Sequence, residues 1–132
     1  MGDDRRNAIK IKGFTPYPKD EAREYEENRW WLGLTLGDML QRAADFYPNK
    51  EALVEGETRL DYGALRKQVN QFALGLVRHG VKKGDRVLVQ MPNWYEFVIA
   101  YFAIHTMGGI VVLLQRSEYF MTILATIQLT RD

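Results

Sequence analysis

The sequence contains no cysteine, a single serine and only two histidines. The absence of cysteine excludes a disulfide framework, a thiolate metal site and a cysteine nucleophile. The one serine, Ser117, has no glycine elbow around it, which argues against a serine hydrolase. His79 and His105 are too far apart in the chain to form an HExxH metal motif. The common nucleophile and metal-site patterns are therefore missing.

A surplus of charge of one sign is also missing, because 18 basic and 17 acidic residues leave a formal net charge of +1. Phosphate contacts need a basic excess on one face, so this balance predicts no nucleic-acid partner. A hydrophobic content of 46% and an aromatic content of 12% exclude disorder of the whole chain. The first six residues contain no apolar stretch, which predicts no secretory signal and a cytoplasmic location.

One long apolar segment imitates a membrane span, since residues 97–114 include no Asp, Glu, Lys or Arg. Gly108–Gly109 interrupts this segment, and paired glycines mark a turn. The sequence therefore predicts no membrane span, but a buried helix over Trp94–Met107, a turn and a buried strand over Ile110–Leu114. A second apolar strand is predicted over Arg86–Met91, and both strands are typical of a parallel sheet buried on both faces.

Three further helices are predicted before these strands. A highly charged surface helix runs from Lys19 to about Trp30. Thr35 begins the second helix in a variant of the capping box, with Asp38 three residues on. Asp61 caps the third helix, which ends at His79–Gly80 with a basic residue and a glycine.

A hairpin is predicted between the second and third helices, with Gly56 at the first position of a two-residue turn. Asn93 is predicted to cap the buried helix that follows the first apolar strand. Helical spacing predicts one apolar face on the second helix. Its members are Leu36, Met39, Leu40, Ala43, Phe46 and Tyr47.

Phosphate-binding signatures are absent from the sequence. It contains neither Gly-x-x-x-x-Gly-Lys-Ser/Thr nor Gly-x-Gly-x-x-Gly. The carboxylates of residues 20–27 are explained by a solvated helix face. From the residues alone, no catalytic, cofactor-binding or metal-binding residue can be assigned, and the chain is predicted to be an α/β domain or part of one.

A series of short motifs between residues 34 and 114 is more specific. The motifs are Thr35-Leu36-Gly37-Asp38, Ala52-Leu53-Val54, Leu60-Asp61-Tyr62, Gly84-Asp85-Arg86-Val87, Pro92-Asn93 and Gly108-Gly109. In this order and spacing they resemble the start of adenylate-forming enzymes, the AMP-dependent synthetase and ligase family that includes acyl-CoA synthetases. The earlier segment Phe14–Pro18, followed by Tyr25 and Trp30, is similar to the aryl-acid branch, that of 2,3-dihydroxybenzoate–AMP ligases.

The resemblance implies an α/β fold, with a partial parallel sheet and flanking helices that form the N-terminal portion of the family's large domain. It implies a ligase that joins a small-molecule carboxylic acid to AMP and then passes the acyl group to a thiol. ATP, Mg²⁺ and coenzyme A are implied for the full-length parent. The phosphate loop, the ribose-binding aspartate and the catalytic lysine have no matching position here. No catalytic, cofactor-binding or metal residue is therefore carried over, and this chain is predicted to bind none of these cofactors.

These observations divide the chain into three parts. Residues 1–33 are an N-terminal extension with a surface helix, residues 34–114 are the family-like segment, and residues 115–132 are an atypical tail. The tail departs from the family pattern. Three explanations stay open: a frameshift or truncation, an expression fragment or split gene, and a genuine stand-alone module. Its apolar residues favour one more amphipathic helix. They are Phe120, Ile123, Leu124 and Ile127.

Two functions therefore remain open. The chain is either a fragment of an ATP-dependent carboxylate ligase that is inactive alone, or a non-catalytic α/β fragment that binds a partner, such as the missing remainder of a split ligase. In both cases strands that are apolar on both faces lack covering layers, which predicts self-association through the exposed sheet.

Overall fold

Four helices and five strands make up the part of the chain that the computed structural model describes, residues 15–114 and the backbone of residues 126–130. In chain order they are α1 (Lys19–Glu27), α2 (Leu36–Phe46), β1 (Glu51–Glu55), β2 (Thr58–Asp61), α3 (Tyr62–Arg78), β3 (Arg86–Gln90), α4 (Tyr95–Thr106), β4 (Ile110–Leu113) and β5 (Thr126–Thr130). The described chain divides into two units between Gly33 and Leu34.

The first unit consists of α1 and a set of aromatic rings in mutual contact. The predicted charged surface helix is present and ends at Glu27, and it contains no buried residue. The Trp31 ring meets the rings of Tyr17 and Tyr25 edge to face, at centroid distances of 4.9 and 5.1 Å. Trp30 contacts Tyr25 at 5.6 Å. Edge-to-face pairs add stabilisation beyond the area they bury, so these contacts fold the chain after the helix back onto it.

Helices α2 and α3 of the second unit begin where their caps were predicted. Thr35 Oγ1 accepts a hydrogen bond from the Asp38 N–H at 3.1 Å, and the Asp38 carboxylate accepts one from the Thr35 N–H at 2.8 Å. Asp61 Oδ1 accepts one from the Ala64 N–H at 2.7 Å, at the start of α3. Helix α3 ends before Gly80, whose φ of +87° is the left-handed conformation that glycine favours. The capping predictions for these two helices are confirmed.

An apolar cluster shared by α2, α3 and α4 forms the first part of the core. Its buried members are Leu40, Leu65, Val69, Ala73, Ile99 and Ala103. The clear amphipathic pattern of α3 supplies three of them, which places its apolar face against the other two helices. Among the described helices, none is long and apolar enough to cross a membrane.

The predicted apolar face of α2 is wrong in part. Four of its predicted members are exposed: Leu36, Met39, Phe46 and Tyr47. The buried residues of α2 are instead Gly37, Leu40 and Ala44. A methyl group added at Gly37 would lie 2.9 Å from Thr106 Oγ1 and 3.0 Å from the Thr106 Cα. The missing side chain of Gly37 thus lets α2 approach α4 closely, and periodicity alone does not reveal such a crossing.

Gly37→Ala is expected to lower the free energy of unfolding by about 1–3 kcal/mol, because the new methyl group meets backbone as well as side chain. Gly75→Ala is the matched control, since nothing lies within 4 Å of a Cβ at that position in α3. Alanine should stabilise a helix there by about 0.5–1 kcal/mol. Urea unfolding followed by circular dichroism measures both, and effects of the same sign would contradict the α2–α4 crossing.

The hairpin and the parallel strand pair are both as predicted. Strands β1 and β2 pair antiparallel, and Gly56 in their turn has a φ of +54°. Strands β3 and β4 pair parallel, with Val87 opposite Val111. The intervening α4 packs against both strands. The α/β fold class with a partial parallel sheet is thereby confirmed.

Strand β3 lies at the centre of the second part of the core. Val87 and Val89 are fully buried, together with Ile104 of α4, and Leu76 and Val81 complete this cluster. Helix α4 packs against β3 and β4, and Leu76 of α3 joins the cluster on the same face of the sheet. The opposite face of the sheet carries Leu88 and Val112, whose strand positions alternate with the buried ones. That face therefore keeps apolar side chains without a covering helix among the described residues.

The prediction of an amphipathic helix in the tail is wrong for residues 126–130. These residues form β5, which pairs antiparallel with β3, so the sheet has the order β4-β3-β5. Phe120, Ile123 and Leu124 lie outside the described residues. Three of the five residues in β5 are β-branched, which favours a strand, and the open edge of β3 supplies backbone partners that a helix would leave unused.

Candidate functional site

The loop between β3 and α4 is the place where this fold could hold a ligand. In open α/β sheets, ligands bind beyond the carboxyl ends of the strands, next to the first turn of the following helix. Here that loop is Met91–Trp94. The sequence assigns no catalytic, cofactor-binding or metal residue to it, so its chemistry has to be derived from its geometry.

Helix α4 is capped by a side chain from another element. The N-cap residue is Trp94, in an extended conformation and with no hydrogen bond from its own side chain. The Tyr95 N–H donates instead to Glu55 Oε2, at the end of β1, over 2.6 Å. The predicted cap, Asn93, is therefore wrong, since it lies one residue before the N-cap. A carboxylate at a helix N-terminus satisfies an unpaired amide and complements the helix dipole.

The Glu55 carboxylate also occupies the position at which a helix N-terminus would receive a phosphate group. Its negative charge makes the start of α4 unfavourable for a second anion. The neighbouring Glu96 is exposed and adds another carboxylate. This end of the sheet therefore has the wrong charge for a nucleotide phosphate.

The Tyr95 hydroxyl is a weak acid in this setting. Its pKa is raised above the ordinary value by a hydrogen bond to the Glu96 carboxylate, by the charge of Glu96, by burial and by the charge of Glu55. Negative neighbours disfavour the phenolate, so the hydroxyl stays protonated at neutral pH. Tyr95 can therefore donate a hydrogen bond but does not act as a base.

Two shallow cavities flank the start of α4. The first has a volume of about 180 Å³ and lies between the hairpin and α4, lined by Leu53, Val54, Glu55, Asn93, Trp94, Tyr95 and Val98. The second has a volume of about 430 Å³ and lies between α3 and α4, lined by Gln68, Gln71, Phe72, Tyr95, Glu96 and Ile99. Their polar side chains are amides, carboxylates, a phenol and an indole, with no lysine or arginine in either lining. These linings do not fit a triphosphate.

The histidines do not converge on this site. His79 is the C-cap residue of α3, and its backbone N–H donates to the Gly75 carbonyl. The His105 ring lies in α4, with Nδ1 2.8 Å from the Tyr101 carbonyl oxygen. Across residues 15–114, no three His, Asp or Glu side chains come together as a metal-binding group. Ser117 lies outside the described residues.

Glu55→Ala is expected to lower the free energy of unfolding by about 1 kcal/mol, the usual effect of losing an N-cap. Glu57→Ala is the matched control, because Glu57 is an exposed glutamate in the hairpin turn two residues away. Thermal unfolding measures the melting temperatures of the two variants, and that of Glu55→Ala should be the lower. Equal melting temperatures for the two variants would show that Glu55 contributes nothing as a cap.

The parallel β3-α4-β4 unit and the capped helices make the second unit an α/β domain, and its described part forms no phosphate site. The chain belongs to the AMP-binding enzyme family, whose model matches residues 40–117. This result confirms the resemblance found in the sequence, and it locates the match in the second unit.

The relatives of this chain include several aryl-acid ligases. It is 37% identical over 102 residues to the 2,3-dihydroxybenzoate-AMP ligase of Bacillus subtilis, covering 77% of this chain and 19% of that protein. It is 38% identical over 109 residues to enterobactin synthase component E of Escherichia coli, covering 80% of this chain and 20% of that protein. The chain thus spans about a fifth of the length of these relatives.

Solved structures give the same result for the fold. The apo structure of Mycobacterium smegmatis MbtA matches 76% of this chain and 20% of its own, with a TM-score of 0.73 and 34% identity. A fatty acyl CoA synthetase from Mycobacterium tuberculosis matches 61% of this chain and 16% of its own, with a TM-score of 0.59 and 32% identity. The second unit therefore has the fold of the first part of adenylate-forming enzymes.

Proposed function

We propose that this chain is the N-terminal part of an aryl-acid, AMP-forming ligase and that it has no ligase activity alone. In this proposal residues 1–33 are an extension, residues 34–114 are the scaffold of the large domain, and residues 115–132 are an atypical tail. The observation that carries the proposal is the similarity to aryl-acid ligases over four-fifths of this chain and one-fifth of theirs. A cytoplasmic location and the absence of a nucleic-acid partner belong to the same proposal.

The proposed parent reaction is the joining of an aromatic carboxylic acid to AMP with release of pyrophosphate. The acyl group then passes to coenzyme A or to the thiol of a carrier protein, and Mg²⁺ would neutralise phosphate charge in the first step. The described residues do not fit Mg²⁺ and ATP. Glu55 already holds the start of α4, and no lysine or arginine lines the neighbouring cavities to bind phosphate. Within residues 15–114, no three carboxylates or histidines come together to hold Mg²⁺. The role of this segment is therefore to support a site built by other parts of a complete ligase.

The purified chain is expected to catalyse no ATP–pyrophosphate exchange with salicylate or 2,3-dihydroxybenzoate, because its described part offers no phosphate site. Radiolabelled pyrophosphate exchange measures this, with the Bacillus subtilis ligase as positive control. Exchange above the blank, in a preparation free of host ligases, would contradict the proposed inactivity.

The family role can be tested separately in a chimera. Residues 34–114 replace the matching segment of the Bacillus subtilis ligase. If the segment is an equivalent scaffold, exchange should stay within about tenfold of the parent, which corresponds to about 1.4 kcal/mol in the activation barrier. A folded chimera without exchange would contradict an equivalent scaffold, whatever the activity of the isolated chain.

A second candidate function is the binding of a partner that supplies the remainder of a ligase. The sheet face with Leu88 and Val112, which no described helix covers, favours it because parallel sheets are normally covered on both faces. The test adds the remaining four-fifths of the Bacillus subtilis ligase to this chain and measures complex formation and exchange. The absence of both a complex and exchange would contradict this candidate.

A further inference from the structure

Strand β3 is paired on both sides. One partner strand lies inside the segment that matches the family, and the other lies outside it. Strand β4 lies within the segment that matches the family, residues 40–117. Strand β5 begins at Thr126, beyond that segment, and is the one antiparallel partner in an otherwise parallel sheet of the described chain. The atypical tail therefore supplies the strand that covers one edge of β3.

The backbone groups that face β5 can be assigned from the bonds to β4. The Ile110 N–H donates to the Asp85 carbonyl at 2.8 Å, and the Leu114 N–H donates to the Val89 carbonyl at 3.1 Å. Alternate residues of a strand direct their backbone groups to opposite neighbours. Leu88 therefore faces β5, where its register partner is Gln128.

Without β5, this edge of β3 would carry unpaired amides and carbonyls beside the most buried side chains of the sheet, Val87 and Val89. An open edge of that kind is a template for pairing with another chain. The five residues of β5 include no charge, proline or glycine, so nothing in their sequence opposes strand pairing.

We propose that the outer edge of β3 is a strand-acceptor site, filled in cis by β5 and able to take β5 of a second copy when its own β5 is displaced. The second copy is the partner that fits, because it offers the same five residues in the same antiparallel register. A tethered strand has an effective concentration in the millimolar range, which favours cis pairing in the intact chain. This inference does not depend on the proposed ligase function.

Gln128→Pro in the full chain tests the site, because proline removes the amide that faces Leu88. Gln128→Ala is the matched control and keeps this amide. Native-state hydrogen exchange of the Leu88 amide should be about 100-fold faster in Gln128→Pro than in the control. The Val112 amide of β4 should be equally protected in both variants. Equal protection of Leu88 in the two variants would overturn the proposal.

A labelled peptide with the sequence of residues 115–132 distinguishes an acceptor site from a general loss of structure. The peptide should bind Gln128→Pro at least about tenfold more tightly than Gln128→Ala, whose site is filled, and should restore the protection of Leu88. If Gln128→Pro is unfolded, refolding on addition of the peptide supports the site. Failure of the peptide to bind or to restore structure overturns it.

Discussion

Ile104→Ala is expected to lower the free energy of unfolding by about 2–5 kcal/mol, the range for truncating a fully buried isoleucine. Ile104 has no exposed surface and joins α4 to Val87 and Val89 of β3. A Cβ added at Gly109 would lie 2.8 Å from Ile104 Cγ2, so the backbone on that side is also in close contact. Because domains are stable by only about 5–15 kcal/mol, this single change should remove a large part of the total.

Two variants separate a packing effect from a general effect of substitution. Ile104→Val should cost about 0.5–1.5 kcal/mol, since it removes one methylene group. Leu74→Ala in α3 should change stability by less than about 0.5 kcal/mol, because that leucine is 57% exposed. Urea unfolding measures the change in the free energy of unfolding for the three variants. The slope of this free energy against urea concentration should be the same in all of them. A loss in Leu74→Ala as large as that in Ile104→Ala would contradict the position of the core.

The elements that the sequence predicted well are those whose signals are local. Helix α3 has a cap at Asp61, a clear apolar period and a glycine after its end, and all three agree with the structure. Strands β3 and β4 are apolar runs separated by a helix and two glycines. Short connections of this kind leave few topologies besides parallel pairing.

The features that could not be predicted depend on contacts between distant residues. The Glu55 cap of α4 comes from 40 positions earlier in the chain, and no local pattern in the sequence indicates it. The same holds for the candidate site, where Glu55 and Tyr95 meet only through the packing of the hairpin on α4. In the tail, Ile127 fits a helical period as well as an alternating one, and the free edge of β3 decides between them.

The intact chain is expected to self-associate through β4 at about 100 µM, because exposed apolar surface and unpaired strand edges associate at micromolar to millimolar concentrations. Among the described strands, β4 is paired on one side only, with β3. Three consecutive residues at its end are exposed: Val112 by 39%, Leu113 by 55% and Leu114 by 47%. Residues 107–114 contain no charge or proline that would block edge pairing, and a net charge of +1 provides little repulsion between copies.

Leu113→Lys should therefore weaken the association by about tenfold to a hundredfold. Burying a leucine fully contributes about 1.5–3 kcal/mol, and two half-exposed copies of Leu113 in a symmetric contact contribute about the same together. Each 1.4 kcal/mol changes the dissociation constant about tenfold. Sedimentation velocity over a concentration series measures the constant.

Leu74→Lys is the matched control, because Leu74 is exposed to a similar extent, lies on α3 away from the sheet edge and adds the same charge. If charge alone opposed association, both lysines would weaken it equally, and the role of β4 would be contradicted. A monomer at about 100 µM in the unsubstituted chain would contradict self-association itself.

Pairing through β4 leaves the β3–β5 ladder intact, so Gln128→Ala should associate like the unsubstituted chain. The two edges of the sheet can therefore be tested independently, one by a charge on β4 and the other by a proline in β5.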